Sequence, residues 1–115
     1  MTKIIFLHNT RCSKSREALE ILSKTGKWFE LREYLKWPLD FHDLEELQKK
    51  LWLPAIEFTR ANEVEFKQAW LTKNSSNVEI LKAISKHPKL LQRPILISEN
   101  KAIIGRPPEK ILELL

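Results

Sequence analysis

The first strongly apolar run, Ile4–Leu7, is short and uninterrupted, which predicts a fully buried strand. A polar loop follows. From Ser13 to Lys24, Ala18, Leu19 and Leu22 recur at helical spacing and Ile21 widens the stripe, so a helix is expected there. Gly26 suits the left-handed position after it. Trp28–Tyr34 alternates in part and is rich in strand formers, which predicts a second strand. Strand, helix and strand in succession form a β-α-β unit with parallel pairing. Pro38 breaks the pattern. Asp40 is placed to cap a second helix, with Phe41, Leu44, Leu47 and Leu51 as its buried face and Pro54 as its end. Ala55–Trp70 reads as short helical pieces and Thr72–Asn77 as loop. Ser76-Asn77-Val78-Glu79 is a capping box for a helix lined by Val78, Leu81 and Ile84 and closed by His87-Pro88. Pro94–Ile97 predicts a short buried strand. Glu99-Asn100 turns the chain, and Lys101–Ile104 returns as the hairpin partner. Gly105 ends that strand. Pro107 suits the first position of a last helix, with Ile111, Leu112 and Leu115 inward.

The order β-α-β, helices, β-β-α implies an α/β protein with a four-stranded mixed sheet. These two halves, with a cysteine after the first strand, resemble the thioredoxin fold, and the helices at about 40–87 would be an insertion. At 115 residues a single domain spanning 1–115 is expected. No apolar run approaches the roughly 18 residues of a membrane span. Met1-Thr2-Lys3-Ile4 enters a strand at once and lacks a signal-peptide layout, so no membrane association is expected. The net charge is +5, yet Glu17, Glu20, Glu45, Glu46, Glu63 and Glu65 interleave with the basic residues. That pattern suits a small anion better than nucleic acid. The four tryptophans are expected to pack in the core or half-exposed at its edge.

The candidate chemistry lies in Phe6–Arg16. Cys12, the single cysteine, falls where a strand ends and a helix begins. Unpaired backbone N–H groups and the helix dipole both favour an anion there, whether a thiolate on Cys12 or an oxyanion beside it. The polar residues around it point to a reactive thiol with a lowered pKa rather than an inert core cysteine. Arg11, Lys14 and Arg16 add charge of the right sign. His8 either closes the strand or tunes Cys12. Ser15, three residues on, either reaches the sulfur or serves the backbone. An internal disulfide is impossible, and a free thiol suits a reducing cytoplasm. One cysteine with scattered His8, His42 and His87 offers no metal-ligand spacing, so no metal is expected.

Four segments carry a specific resemblance: His8–Arg16, Tyr34-Leu35-Lys36-Trp37-Pro38, His87–Ile95 and Ile104-Gly105-Arg106-Pro107-Pro108-Glu109. In this order they are similar to motifs of the glutaredoxin-coupled arsenate reductase family, ArsC-like members of the thioredoxin-fold superfamily. The resemblance runs over essentially the whole chain. Departures from the family pattern include Trp37 for a usual threonine, Trp52 at a common glycine position, and Ala69-Trp70-Leu71 in place of a glycine-centred turn. The family implies that Cys12 is the nucleophile that attacks arsenate. It implies that Arg60, Arg93 and Arg106 bind the oxyanion, and that His8 and Ser15 keep Cys12 ionised. Asn9 and Pro94 would be structural neighbours of the site, with Pro94 in a cis peptide facing Cys12 and bringing Arg93 beside it. The resemblance implies no bound cofactor. Glutathione and glutaredoxin would serve as external reductants of a cytoplasmic monomer.

Two other readings use the same residues. One is a glutathione-dependent thiol reductase acting on something other than arsenate. The other is an RNA-polymerase-binding regulator of the Spx type. The redox switch of such regulators is a Cys-x-x-Cys, and here the second position is Ser15.

Overall fold

The computed structural model describes residues 3–115, so the expectation for Met1 and Thr2 lies outside the described residues. The chain forms two compact units. The first comprises the chain up to Trp37 together with Arg93–Leu115, and the second is Pro38–Gln92.

The first unit is built on a four-stranded sheet in the order β2-β1-β3-β4. Its strands are β1 (Ile5–His8), β2 (Glu30–Glu33), β3 (Ile95–Ile97) and β4 (Ala102–Ile104). β1 pairs parallel with β2 and antiparallel with β3, and β3 pairs antiparallel with β4. Helix α1 (Ser13–Lys24) joins β1 to β2. Phe6 and Leu96 of the central strands meet Ala18 and Leu22 of α1 and Ile111 of the C-terminal segment, and all five are fully buried. A buried aliphatic or aromatic side chain contributes about 1.5–3 kcal/mol, so this cluster is what holds α1 against the sheet. The expected mixed sheet and its β-α-β and β-β-α halves are therefore present.

The second unit contains α2 (Phe41–Leu51), α3 (Val64–Gln68) and α4 (Asn77–Lys86). Short 3₁₀ segments run over Ala55–Phe58 and Pro88–Leu90. Reciprocal capping boxes fix two helix starts, Asp40 with Asp43 and Ser76 with Glu79. Helix α4 packs on α2 and on both 3₁₀ segments.

Several local expectations need correction. The first strand lies one residue later than Ile4–Leu7, and the second is confined to Glu30–Glu33. Phe41 and Leu51 are half-buried, and Leu44 and Leu47 alone form the buried stripe of α2. That helix stops at Trp52, which turns left-handed, before Pro54 is reached. Val78, in the first turn of α4, is exposed, whereas Leu81 and Ile84 are buried as expected and Ile80 and Ala83 join them. The last helix is a 3₁₀ segment, Pro108–Leu114, with Pro107 just outside it. Three residues per turn put Ile111 and Leu114 on one side and send Leu112 to solvent.

The tryptophans are the largest departure. All four are exposed, Trp52 to 92% and Trp70 to 91%. Both of these have φ of +59°. An L-residue adopts that conformation at a cost of about 1–2 kcal/mol, which is why glycine suits such a turn. Gly26, at φ +73°, fills the corresponding position after α1 as expected.

Candidate active site

The loop after β1 is folded by its own short side chains. Asn9 accepts the Cys12 N–H on its carbonyl at 3.1 Å and the Arg11 N–H on its side-chain oxygen at 2.9 Å. This turn delivers Cys12 to the N-cap of α1 in an extended conformation. The helical ladder begins with the Arg16 N–H donating to the Cys12 carbonyl at 3.0 Å.

Ser15 is fully buried beneath this loop. Its Oγ accepts the Asn9 N–H at 3.0 Å and lies 2.7 Å from His8 Nδ1. The imidazole tautomer decides which of the two side chains supplies the proton between them. Ser15 thus serves the Asn9 backbone and joins His8 to the loop. Burial pushes the His8 pKa down, Glu33 opposes this, and Arg16 assists it. The buried ring is therefore held toward its neutral form.

Cys12 has no capping hydrogen bond of ordinary geometry. Burial raises its pKa, and the opposing influences outweigh that effect. These are the backbone N–H of Ser15, a hydrogen bond and the positive charge from Arg93, and the backbone N–H of Lys14. The thiol is consequently held below its ordinary range, as the helix-start argument anticipated. The charge assisting it comes from a distant part of the chain. Arg16 donates to the Thr10 carbonyl at 2.9 Å, and Lys14 pairs with Glu17 at 3.5 Å.

Arg106 completes the arrangement. Its Nη2 lies 3.8 Å from the Cys12 sulfur, and its Nε donates to the Arg93 carbonyl at 2.7 Å. The Arg93–Pro94 and Arg106–Pro107 peptide bonds are both cis. Gly105 brings the two arginine segments together. Its N–H donates to the Pro94 carbonyl at 2.8 Å. A Cβ at Gly105 would stand 3.0 Å from both the Pro94 ring and the Ile111 side chain. The sequence marked this glycine as a strand end and as part of the Ile104–Glu109 motif, with no packing role.

Arg60 belongs to the second unit. There its Nε donates to Glu63 at 3.2 Å and its Nη1 to Gln92 at 3.3 Å. Its backbone N–H donates to Leu90 at 2.7 Å, next to the bridge between Thr59 and Leu91.

The first unit therefore combines a thiol of lowered pKa, two guanidinium groups and the start of a helix. A sulfur nucleophile flanked by planar cationic donors suits attack on a tetrahedral oxyanion, whose charge the donors would stabilise as it redistributes. Among the described residues, no three His, Cys, Asp or Glu side chains cluster so as to hold a metal ion.

The model of the ArsC family matches residues 7–114. The chain is 42% identical to the uncharacterized protein YfgD of Escherichia coli, over 99% of this chain and 98% of that one. It is 40% identical to a Neisseria meningitidis protein named arsenate reductase, over 96% and 97% of the two chains. A solved structure of an arsenate reductase from Vibrio cholerae superposes with a TM-score of 0.93 at 34% identity, covering 99% of this chain and 98% of that one.

Proposed function

The chain belongs to the ArsC family, and on that premise we propose that it reduces arsenate to arsenite with glutathione and glutaredoxin as electron donors. The observation that carries the reading is the Cys12 sulfur with Arg106 at 3.8 Å and Arg93 lowering its pKa. The Cys12 thiolate attacks arsenic, and an oxygen leaves as water. Glutathione forms a second sulfur–arsenic bond with loss of another water. A glutaredoxin thiol then attacks the glutathione sulfur. A mixed disulfide forms, and the electron pair of the broken bond remains on arsenic, reducing As(V) to As(III). Water finally displaces Cys12 and releases arsenite. The balance is one arsenate and two thiols giving one arsenite, one disulfide and one water.

Arg93 and Arg106 hold the oxyanion and the adduct, and the family reading assigns Arg60 to the same substrate. His8 acts as a neutral imidazole through Ser15, keeping the loop in the shape that supports the thiolate. Asn9 closes the turn, and Pro94 carries the Arg93 segment. With one cysteine in the sequence, both reducing equivalents come from outside. A thiol-rich compartment such as the cytoplasm suits that requirement. No described helix is long and apolar enough to cross a membrane.

Arsenite formation with glutathione and glutaredoxin, measured for the natural chain and for Cys12→Ser, tests the reading. Turnover that vanishes in the variant supports it. An inactive natural chain whose Cys12 still reacts with iodoacetamide at neutral pH would overturn arsenate as substrate. That outcome would favour a glutathione-dependent thiol reductase with a different substrate.

A further inference from the structure

The reaction needs a thiol from outside, and a groove of about 370 Å³ lies at the ends of β1 and β2 in the first unit. One wall is His8, Asn9, Thr10 and Arg11, and the other is Glu33, Leu35 and Lys36. Parallel pairing creates it, because the register sets His8 beside Glu33 at the point where both strands end. The volume falls within the range of pockets that enclose a small ligand. We propose that this groove binds the reducing co-substrate, a small peptide thiol with two carboxylates and one ammonium group, of which glutathione is the probe. The inference rests on the reading above, in which glutathione delivers the second sulfur.

The charges of the lining match such a molecule and no simple oxyanion. Arg11 is exposed, and among the described residues its guanidinium is paired with no carboxylate. Its backbone is nevertheless fixed by Asn9, so the group is anchored at its base. Lys36 is the second cation, 3.7 Å from Glu33. Lys36 is exposed and Glu33 half-buried, and a pair so open to solvent is weak, so both partners can exchange one another for a ligand. Arg11 and Lys36 then take the two carboxylates, Glu33 takes the ammonium, and Leu35 offers an apolar contact. Arg11 directly precedes Cys12, so a ligand on this wall brings its thiol to the loop that carries the nucleophile. The bound sulfur attacks the arsenic of the Cys12 adduct, a sulfur–arsenic bond forms, and one arsenic-bound oxygen leaves as water. Arg93 and Arg106 stay with the oxyanion, so the two ligands draw on separate cations.

The test uses the full chain and S-methylglutathione, whose blocked sulfur cannot react. Titration followed by amide NMR should shift Thr10, Arg11, Glu33, Leu35 and Lys36. The Arg11→Glu/Lys36→Glu double variant should weaken that binding at least tenfold. It should also raise KM for glutathione to a similar extent at saturating glutaredoxin. Lys36→Glu alone, at an exposed position, should show a smaller change of the same sign and keeps the test available if the double variant misfolds. Unchanged binding and unchanged KM in a folded variant, with glutathione still driving arsenate turnover, would overturn the groove and leave the proposed function standing. A raised KM for glutaredoxin alone would likewise overturn it, because the surface would then serve a protein. If glutathione supports no turnover and its methylated form shifts no groove amide, both proposals fall.

Discussion

Arg106 and Arg60 are both anchored through Nε, and their anchors differ in charge. Arg106 donates to the Arg93 carbonyl at 2.7 Å, whereas Arg60 donates to the Glu63 carboxylate at 3.2 Å. A neutral acceptor fixes a guanidinium and leaves its charge for something else. A carboxylate fixes it and cancels much of that charge. In the first unit the uncancelled charge faces the Cys12 sulfur. In the second, Arg60 also donates to the neutral Gln92 side chain. The two arginines therefore differ in how much of their charge is already balanced by a neighbour, and that difference should show in what each contributes to an oxyanion.

The largest effect should separate the two arginines directly. Arg106→Ala and Arg93→Ala should each lower kcat/KM for arsenate by about 10²–10³, the usual cost of removing a donor from developing charge. Arg60→Ala should cost about tenfold or less, as for a cation already balanced nearby. Steady-state kinetics on the three variants would break the comparison if Arg60→Ala proved as damaging as Arg106→Ala.

A smaller effect is expected from Gly105→Ala, which disturbs the support of one arginine pair without touching Arg60. The added methyl meets the Pro94 ring and Ile111, both buried, so the strain should lower stability by about 1–3 kcal/mol. Denaturant unfolding measures this, and an unchanged midpoint would mean that the two segments can move apart freely.

The smallest effect concerns pH. Iodoacetamide alkylation of Cys12 should follow ionisation with a midpoint below the ordinary thiol value of 9.0. Arg93→Ala should move that midpoint up, because it removes a hydrogen bond and a charge that favour the thiolate. The sign for stability follows from linkage. A folded-state pKa below the unfolded one favours the ionised fold, so this contribution is complete above the unfolded thiol value and disappears as pH falls through the folded value. An alkylation profile that is the same in Arg93→Ala would remove Arg93 from the list of groups tuning Cys12.

Features with local signals were legible in the sequence. Ser13–Lys24 has its helix where the apolar stripe and Gly26 placed it, and Asp40 and Ser76 cap the helices they precede. The site was legible to the extent that Cys12 stands at a helix start, whereas Arg93 came beside it only through the family resemblance and its hydrogen bond to the thiol had no signal in the sequence. What remained hidden depends on through-space geometry. The packing of Gly105 on Pro94 and Ile111 joins residues with no common sequence pattern. The groove requires the register of His8 with Glu33. The charges near Cys12 in sequence, Lys14 and Arg16, turn to Glu17 and Thr10 instead. Indole size says nothing about orientation, and the left-handed turns at Trp52 and Trp70 aim both rings at water.

The sheet has a further consequence for a chain made from its N-terminus on the ribosome. β1 lies between β2 and β3, and β3 is among the last elements synthesised. Cys12 and Arg106 are 94 positions apart, an interval of about 5 to 20 seconds at a translation rate of about 5–20 residues per second. The second unit is one continuous stretch and is complete before Arg93 is added. Until Arg93 and then Arg106 emerge, the nascent chain carries a cysteine without its cations. The backbone N–H groups at the start of α1 are the part of the tuning that the early chain already encodes, and the share owed to Arg93 can arrive only as synthesis finishes.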